Sequence, residues 1–341
     1  MKGFTLITGG AGFIGSNYAA RCIERGEKVV IFDNLSRHGT EENIEWLSDR
    51  FNRDSFTLIR EDIRDAEGVK AAASGADRIL HLAAQVAVTT SVTDPRTDFD
   101  INAKGTFNAL EAARASGRKP AFIYASTNKV YGARETVAVV ENETRFDYKD
   151  LPDGVSEEQS LDFHSPYGCS KGSGDQYVRD YARIYQLPTV VFRQSCIYGT
   201  RQFGVEDQGW LAWFIIAAVK QRPITIYGNG KQVRDVLFID DLLDAYDAAF
   251  GHINTVAGQV FNIGGGRDNS ISVWMEFRPM IEAMLGHPVK TRQRDWRPGD
   301  QPVFISNIRK ARALLDWQPK VKLDQGIRRL FDWVMDNQNL F

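Results

Sequence analysis

The chain has 341 residues, 43% hydrophobic and 25% charged, with a formal net charge of -2. This length favours two compact units, and the balanced charge gives no reason to expect nucleic acid or an anionic membrane as partner. Three cysteines without a CxxC pair and five histidines without ligand spacing argue against disulfides and a metal site. With no apolar run of membrane-span length and no signal peptide before the first strand, we expect a cytoplasmic protein.

Short apolar runs alternate with helical patterns along the first half of the chain. The predicted strands are 4–8, 28–32, 56–59, 78–82, 121–125 and 189–193. Helical patterns cover 14–25, 102–116 and 167–185 between them. Strand–helix alternation predicts parallel strands with right-handed crossovers, and hence an α/β fold with a doubly wound parallel (Rossmann) sheet.

The pattern becomes irregular after residue 193 and is rich in Gly, Trp and Arg. We therefore assign 1–193 to the Rossmann domain and 194–341 mainly to a smaller C-terminal substrate-binding domain. Within the second part, 236–265 contains a helical pattern at 240–250 and a strand-like run at 259–263, and we expect this segment to return to the first domain. The segment 133–166 is long for a connection between a strand and a helix, which predicts a lid or substrate loop.

A glycine-rich turn follows the first predicted strand directly. Gly9, Gly12 and Gly15 permit a tight turn and close approach of a pyrophosphate to the amino end of the next helix. An acidic residue, Asp33, ends the second strand 18 positions beyond Gly15. Its carboxylate can accept hydrogen bonds from the adenosine ribose and would repel a 2′-phosphate, so the pattern favours NAD over NADP, although Arg37 close by softens that preference.

A second motif follows the strand at 121–125. Thr127 comes just after that strand, and Tyr167 and Lys171 form a Tyr-x-x-x-Lys pair 40 residues later. The i, i+4 spacing places the two on one helical face. Tyrosine, with a pKa of about 10, is a poor base until a nearby ammonium favours the phenolate. The motif predicts acid/base chemistry by Tyr167, with Thr127 binding the reacting oxygen.

These motifs together resemble the extended short-chain dehydrogenases that act on nucleotide sugars, and the resemblance covers essentially the whole chain. It implies catalysis by Thr127, Tyr167 and Lys171, NAD as cofactor and a nucleotide sugar as substrate. The implied cofactor residues are Gly9, Gly12, Phe13, Ile14, Gly15, Asp33, Asn34, Ser36, Arg37, Asp62, Ile63, Leu82, Ala83, Ala84, Gln85, Asn102, Tyr167 and Lys171.

The substrate residues are assigned on the same resemblance. They are Thr127, Asn128, Phe163, His164, Gln194, Gln208, Gly209, Arg234, Arg297 and Asp300. Arg234 follows the string GNGKQV and Arg297 opens the string RPGD, and both are expected to hold the substrate diphosphate, since guanidinium groups pair bidentately with phosphate. Phe163 and His164 are expected to contact the sugar, although packing of the loop explains them equally well.

The two residues after Thr127 separate activities within this family. Dehydratases carry an Asp-Glu pair there to protonate the leaving hydroxyl and to remove a proton from C5, whereas this chain has Asn128 and Lys129. Redox epimerisation needs neither acid. Longer strings, among them STNKVYG and DFHSPYGCSKG, resemble the C2 epimerases that interconvert CDP-paratose and CDP-tyvelose, which implies a CDP-sugar and lipopolysaccharide O-antigen biosynthesis. At position 194 this chain has Gln194, where the resemblance leads us to expect histidine.

Three alternatives stay open from the sequence. They are a UDP-hexose 4-epimerase, a net reductase of a keto-sugar nucleotide, and a non-catalytic NAD-binding regulator, although regulators of this fold usually lack the Tyr or Lys. The family usually pairs through the helices near 102–116 and 167–185, so we expect a homodimer or homotetramer.

Overall fold

The computed structural model describes residues 3–297 and 300–341. Its strands are β1 (Phe4–Thr8), β2 (Val29–Phe32), β3 (Phe56–Ile59), β4 (Ala76–His81), β5 (Ala121–Thr127), β6 (Val139–Glu141), β7 (Phe146–Tyr148), β8 (Thr189–Gln194), β9 (Cys196–Tyr198), β10 (Ile224–Tyr227), β11 (Val233–Phe238), β12 (Val260–Ile263), β13 (Ser270–Ser272), β14 (Thr291–Arg294) and β15 (Val303–Phe304). Seven of them form one parallel sheet in the order β12-β8-β5-β4-β1-β2-β3. The predicted doubly wound fold is confirmed.

The helices cover both faces of this sheet. They are α1 (Phe13–Glu24), α2 (Thr40–Phe51), α3 (Ala66–Ala73), α4 (Val88–Thr93), α5 (Pro95–Phe99), α6 (Gly105–Ala115), α7 (Ser165–Tyr185), α8 (Trp210–Val219), α9 (Ile239–Gly251), α10 (Ile253–Val256), α11 (Phe277–Leu285), α12 (Arg309–Leu315) and α13 (Leu323–Asp336). A π-helical turn, Asp100–Lys104, precedes α6, where the sequence predicted a single helix from 102. In the described ranges, none of the helices is long and apolar enough to cross a bilayer.

The core lies on both sides of the main sheet. Leu6 and Ile7, adjacent in β1, are buried in different apolar clusters because successive strand residues point to opposite faces. One cluster includes Tyr18 and Tyr246, from α1 and α9, and the other includes residues of α3, α6 and α7. A strand that is buried on both faces has a continuous run of apolar residues rather than an alternating pattern, and the predicted strands have such runs.

The second half of the chain builds smaller sheets beside the first. β11 pairs with β9, β13 and β15, and β10 pairs with β14. β12, within the segment expected to return, lies parallel to β8 at the edge of the main sheet. The limits of 1–193 and 194–341 stay a prediction.

The long segment 133–166 is packed against the second half of the chain. It contains the antiparallel hairpin β6–β7. The amide of Phe146 donates to the Lys231 carbonyl at 2.9 Å, and that of Val155 donates to the Ile305 carbonyl at 2.8 Å. The segment thereby links the end of β5 to the smaller sheets.

Candidate active site

A cleft opens at the carboxyl ends of β1, β2 and β4, where the strand order of the sheet reverses. Its volume is about 1080 Å³, the open mouth included. Most of the predicted cofactor residues line it: Gly9, Gly12, Phe13, Ile14, Gly15, Asp33, Asn34, Ser36, Arg37, Asp62, Ile63, Leu82, Ala83 and Ala84. This is the place where doubly wound sheets bind nucleotides.

The three glycines of the first turn have different surroundings. Gly9 has φ +69°, and a Cβ there would lie 2.7 Å from the Ala83 amide nitrogen. At Gly15 a Cβ would lie 2.4 Å from the Gly9 carbonyl oxygen, so this glycine permits the close crossing of α1 over the turn. At Gly12 the nearest atom is the same oxygen at 3.3 Å, and the position faces the open cleft. Gly12 is therefore the glycine whose missing side chain leaves room for a ligand.

Asp33 holds the loops that frame this cleft. Its Oδ2 accepts from the Ala11 amide at 3.0 Å, and its Oδ1 accepts from the Leu35 amide at 2.9 Å. Burial raises the pKa of Asp33, while the two backbone amides lower it. A carboxylate thus lies at the end of β2, where the sequence predicted the ribose contact.

Asp62 lies on the wall beside Asn34. The Asn34 amide donates to Asp62 Oδ2 at 2.8 Å, and the guanidinium of Arg64 donates to both carboxylate oxygens at 2.8 Å. The bonds from Arg64 hold the pKa of Asp62 well below its usual range. Asp62 is therefore a fixed anion at this edge of the cleft.

Further lining residues were not assigned from the sequence. They are Phe32, His38, Gly39, Thr40, Asn43, Glu61, Val86, Ile101, Arg201, Gln202 and Phe203. Those near 40 and near 202 come from separate loops that meet only in three dimensions, for example where a Cβ at Gly39 would touch the Phe203 ring. No local motif marks such residues.

Asn102 lies in the π-helical turn and fastens the loop after β4. Its Oδ1 accepts from the Gln85 amide at 2.9 Å, and its Nδ2 donates to the Gln85 carbonyl at 3.0 Å. Nδ2 also lies 3.1 Å from the Ser170 hydroxyl of α7. Asn102 and Gln85 therefore support the cleft from behind rather than lining it.

Tyr167 and Lys171 lie on the first turns of α7, both buried, beside Thr127 at the end of β5. The backbone amide of Tyr167 donates to the Ser91 hydroxyl at 3.1 Å, which fixes the start of the helix. The Lys171 ammonium lies 4.3 Å from the centre of the Tyr124 ring. The structure therefore brings the three predicted catalytic residues to one end of the sheet.

Burial acts on both members of the Tyr-x-x-x-Lys pair. It raises the pKa of Tyr167 to about 12, and the charge of Asp98 adds to this rise, while hydrogen bonding with Thr127 and the charge of Arg37 work against it. It lowers the pKa of Lys171 to about 7, against the opposing effect of Asp98 and Asp175. Burial thus works against the charged form of both groups, and nearby charges decide how readily each one ionises.

A buried polar network behind these residues was not predicted. Arg193 in β8 donates to Asp175 of α7 through Nε at 2.8 Å and Nη2 at 3.0 Å. Ser126, next to Thr127, donates to the same carboxylate at 3.0 Å. Arg193 also donates to the Tyr131 hydroxyl, which in turn donates to Asn262 of β12. The network joins α7 to three strands, and the sequence carries no motif for it because its members are far apart in the chain.

The two arginines expected to bind a diphosphate both face carboxylates. Arg234 in β11 is buried and donates to Asp300 at 2.5 Å. Arg297 donates to Asp207 at 3.1 Å, and its guanidinium lies 4.0 Å from the centre of the Tyr227 ring. Within the predicted RPGD string, 298 and 299 lie outside the described residues.

The residues directly after Thr127 form a 3-10 turn. Asn128 is buried, and its Oδ1 accepts from the Thr127 hydroxyl at 3.3 Å. Burial first, and then the charge of Arg234, lower the pKa of Lys129, which Asp300 raises. The second residue of this turn is thus a lysine near Arg234, and neither side chain is a carboxylic acid.

A tight turn at 205–209 connects the two ends of the site. Gln208, which lines the cleft, accepts a hydrogen bond from Arg37. Its neighbours contact the other side, Asp207 with Arg297 and Glu206 with Tyr227. Gly209, with φ +77°, ends the turn and precedes α8. Gln208 and Gly209 therefore lie between the cleft and the arginines.

The remaining predicted substrate residues have mixed surroundings. The amide of Gln194 is buried and donates to the Tyr246 hydroxyl at 2.5 Å, on the side of α9. Phe163 packs on Gly172, where a Cβ would lie 2.4 Å from its ring. His164 is exposed just before α7. Their contacts with a sugar stay predictions; the observed contact of Gln194 is a hydrogen bond within the protein, and that of Phe163 is packing.

Comparison with known proteins agrees with this geometry. A family profile described as GDP-mannose 4,6 dehydratase matches residues 6–330. A CDP-paratose 2-epimerase of Salmonella typhi is 45% identical over 335 residues, covering 96% of this chain and 98% of that protein.

Solved structures are similar over the whole length. A UDP-glucose 4-epimerase of Thermotoga maritima with UDP-glucose is 30% identical with a TM-score of 0.84, covering 98% of this chain and 99% of that one. A UDP-glucuronic acid 4-epimerase of Bacillus cereus, in complex with UDP-glucuronic acid and NAD, is 29% identical with a TM-score of 0.83, covering 97% and 99%.

Proposed function

Since the chain belongs to the GDP-mannose 4,6-dehydratase family of extended short-chain dehydrogenases, we propose that it inverts C2 of a CDP-linked sugar, converting CDP-paratose to CDP-tyvelose in the cytoplasm for O-antigen biosynthesis. The chain is an NAD-dependent nucleotide-sugar epimerase, as predicted from its motifs. The choice of CDP-paratose is supported by the 45% identity to a CDP-paratose 2-epimerase over 96% of the chain.

The cleft residues fit a dinucleotide. Gly12 opens onto the cleft without a side chain, and the amino end of α1 begins one residue later, so its free amides suit a pyrophosphate. Asp33 would accept the ribose hydroxyls and oppose a 2′-phosphate. When bound, NAD would supply the acceptor, and then the donor, of the C2 hydride. Because the cofactor is regenerated in each cycle, we expect the purified protein to retain it.

Tyr167 would move the proton that accompanies this hydride. Its phenolate takes the proton of the C2 hydroxyl while the C2–H bond breaks, and its phenol returns that proton when the alcohol forms again. Burial raises the pKa of Tyr167, so the reaction needs positive charge close by. Arg37 lowers that pKa, and Lys171, one turn further along the same helix, would assist when it is protonated. Thr127 would hold the reacting oxygen by a hydrogen bond.

The turn after Thr127 supports epimerisation over dehydration. Elimination needs an acid to protonate the leaving hydroxyl and a base to remove the C5 proton. Asn128 is already bonded to the Thr127 hydroxyl, and Lys129 lies in the field of Arg234. We infer that Arg234 and Arg297 bind the diphosphate by exchanging their carboxylate partners for phosphate oxygens, which leaves the keto-sugar free to turn over.

The fate of the C2 hydrogen tests the proposal. The C2–H bond has no neighbouring carbonyl, so direct deprotonation would give an unstabilised carbanion. CDP-paratose carrying deuterium at C2 should therefore keep it in the product, and unlabelled substrate in heavy water should gain no carbon-bound deuterium. Mass spectrometry of the product reads both results.

Three results would contradict this assignment. Solvent deuterium at C2 would exclude the hydride route, and solvent deuterium at C5 would indicate acid/base epimerisation of a 4-keto sugar. Turnover of UDP-hexoses without turnover of CDP-sugars would favour a 4-epimerase. The control is the Tyr167→Phe protein, which should leave label and configuration unchanged.

We also propose a homo-oligomer formed through α6 and α7. Their outer faces carry the exposed side chains Phe107 and Tyr177, whose ring centres are 5.9 Å apart, together with Ile184 on the same helix as Tyr177. Contiguous exposed apolar side chains on adjacent helices are typical of a subunit interface. Phe107→Arg should yield monomer in light scattering, whereas Leu314→Arg, at another exposed apolar site, should not. A wild-type protein that is only monomeric would contradict the proposal.

A further inference from the structure

Asp98 is a buried acid beside the predicted catalytic helix. Asp98 lies in α5 and is 1% exposed. Its Oδ2 accepts from the Ser170 hydroxyl at 2.5 Å, and its Oδ1 accepts from the Asn102 amide at 3.0 Å. Ser170 is the residue directly before Lys171, and Asn102 holds the Gln85 loop of the cleft. Through Ser170, Asp98 is linked to the predicted catalytic pair, and through Asn102 it is linked to the loop beside the cofactor cleft.

The partners of this carboxylate are unusual for a buried acid. Within the described ranges 3–297 and 300–341, its hydrogen-bond donors are a hydroxyl and an amide, both neutral. Burying a carboxylate among neutral groups is costly unless a positive charge lies near. Burial indeed raises the pKa of Asp98, and hydrogen bonding with Ser170 and then the charge of Lys171 lower it. The nearby cation that compensates this carboxylate is therefore the ammonium of Lys171.

Several groups face Lys171 from the elements packed around it. His81 of β4 lies between the hydroxyls of Thr8 and Thr106, and burial lowers its pKa to about 3, so it is neutral. Tyr124 of β5 offers its ring face to the ammonium. Tyr167, one turn earlier on α7, is the predicted acid/base. None of these three is an anion at neutral pH before catalysis begins.

Two acids remain near the ammonium, and they differ in their own partners. Asp175, one turn further along α7, forms a bidentate ion pair with Arg193. Its negative charge is therefore largely balanced within that pair. The hydrogen-bond donors of Asp98 are neutral and do not balance its negative charge. The negative charge of Asp98 therefore acts on Lys171 more strongly than the charge of Asp175, which Arg193 offsets.

We propose that Asp98 is a positioning residue that keeps Lys171 charged for catalysis, acting through the electrostatic field of its carboxylate and through the Ser170 bond beside Lys171. The inference rests on the proposed function, because it assumes that Lys171 assists Tyr167. The π-helical turn at Asp100–Lys104 accompanies this arrangement, and such turns are frequent at functional sites.

Loss of the Asp98 charge should shift the pH dependence of activity in one direction. Burial lowers the pKa of Lys171 to about 7, and Asp98 is the first charge that raises it. Removing that negative charge lowers the pKa of Lys171 further, so the ammonium is lost at a lower pH. Activity that needs the ammonium should then fall earlier as the pH rises. The Asp98 carboxylate also raises the pKa of Tyr167, so its removal favours the phenolate, and the alkaline limb is the part of the pH profile that reports on Lys171.

The test compares pH profiles of kcat for the NAD-loaded enzyme. Asp98→Asn should move the alkaline limb to lower pH by about one unit. At pH values on that limb, kcat should then be about tenfold below that of the wild type. Asp98→Glu retains the charge and should leave the limb near its wild-type position. Asp100→Asn, a partly exposed acid of the same segment, is the matched control and should not move it. Thermal unfolding of each variant measures any structural effect separately.

The results separate this inference from the proposed function. A loss of thermal stability in Asp98→Asn with an unmoved alkaline limb would show that Asp98 is only structural and would overturn the inference. A limb that moves equally in Asp98→Glu would overturn it as well. If Tyr167→Phe and Lys171→Met keep normal turnover, the proposed site itself fails, whatever the profile of the Asp98 variants.

Discussion

Arg234 and Asp300, 66 positions apart in the sequence, form a charge-assisted hydrogen bond of 2.5 Å at the predicted substrate end of the site. The residue Arg234 is 7% exposed, and its Nη1 also donates to the Val233 carbonyl at 2.7 Å. The guanidinium is therefore held in one orientation before it meets a substrate. Such preorganisation reduces the conformational entropy lost when a phosphate replaces the carboxylate.

The first prediction concerns bidentate hydrogen bonding by the guanidinium of Arg234. Arg234→Lys keeps a positive charge but cannot bond two phosphate oxygens in one plane. We expect KM for the nucleotide sugar to rise about tenfold, the worth of about one charge-assisted hydrogen bond, with a smaller change in kcat. Arg309→Lys, at an exposed ion pair with Asp153, is the control. An unchanged KM in Arg234→Lys would remove this residue from the substrate site.

The second prediction concerns Tyr167, where replacement by Phe deletes the hydroxyl and keeps the buried ring. We expect kcat to fall by about two to four orders of magnitude, the usual contribution of a positioned acid/base, with little change in affinity for CDP. Tyr185→Phe, at the exposed end of the same helix, should keep full activity. Near-normal turnover of the Tyr167 variant would show that another group carries the proton.

The third prediction separates two glycines of the first turn. Gly15→Ala places a Cβ 2.4 Å from the Gly9 carbonyl oxygen, so the fold must shift and the protein should lose stability even without NAD. Gly12→Ala meets that oxygen at 3.3 Å and points into the cleft, so NAD should be lost while the stability of the cofactor-free protein is kept. Bound NAD after denaturation and unfolding midpoints distinguish the two. Equal NAD content in Gly12→Ala and wild type would place the pyrophosphate elsewhere.

The fourth prediction concerns the buried ion pair between Arg193 and Asp175, both no more than 3% exposed. Arg193→Met leaves the carboxylate buried without its cation, and we expect the free energy of unfolding to fall by about 3–5 kcal/mol. Arg114→Met removes a partly exposed ion pair with Glu111, and the expected loss of stability there is much smaller because solvent screens the pair. Denaturant titration measures both. Similar losses for the two variants would mean that the buried pair is not coupled to folding as the contacts indicate.

Local sequence patterns predicted the main sheet and its helices well. The strand at 4–8, its glycine turn and the helix that follows are encoded within about 25 consecutive residues, so their order and type could be predicted, with boundaries correct to about two residues. The exception is the start of α6, where a π-helical turn replaces regular helix. The periodicity of a pattern this short does not distinguish a single wide turn from regular helix.

The candidate site was predicted where its residues belong to a motif and missed where they do not. Gly12, Asp33 and Tyr167 each lie within a short pattern whose spacing reflects a backbone turn or one helical face. Asp98, Asp175 and the loop near Phe203 carry no such pattern. Asp98 reaches the catalytic helix through Ser170, 72 positions away, and Asp175 is paired with Arg193, 18 positions away.

The sequence alone determined the class of chemistry, since a strand, a glycine turn and a Tyr-x-x-x-Lys helix leave few other uses for these residues. The tertiary structure decided what surrounds each reactive group: the buried lysine, the acid beside it and the carboxylates that hold the arginines. The reason is physical. Which atoms a local segment presents depends on its own backbone, whereas the charge of a buried group depends on the field of every element packed against it.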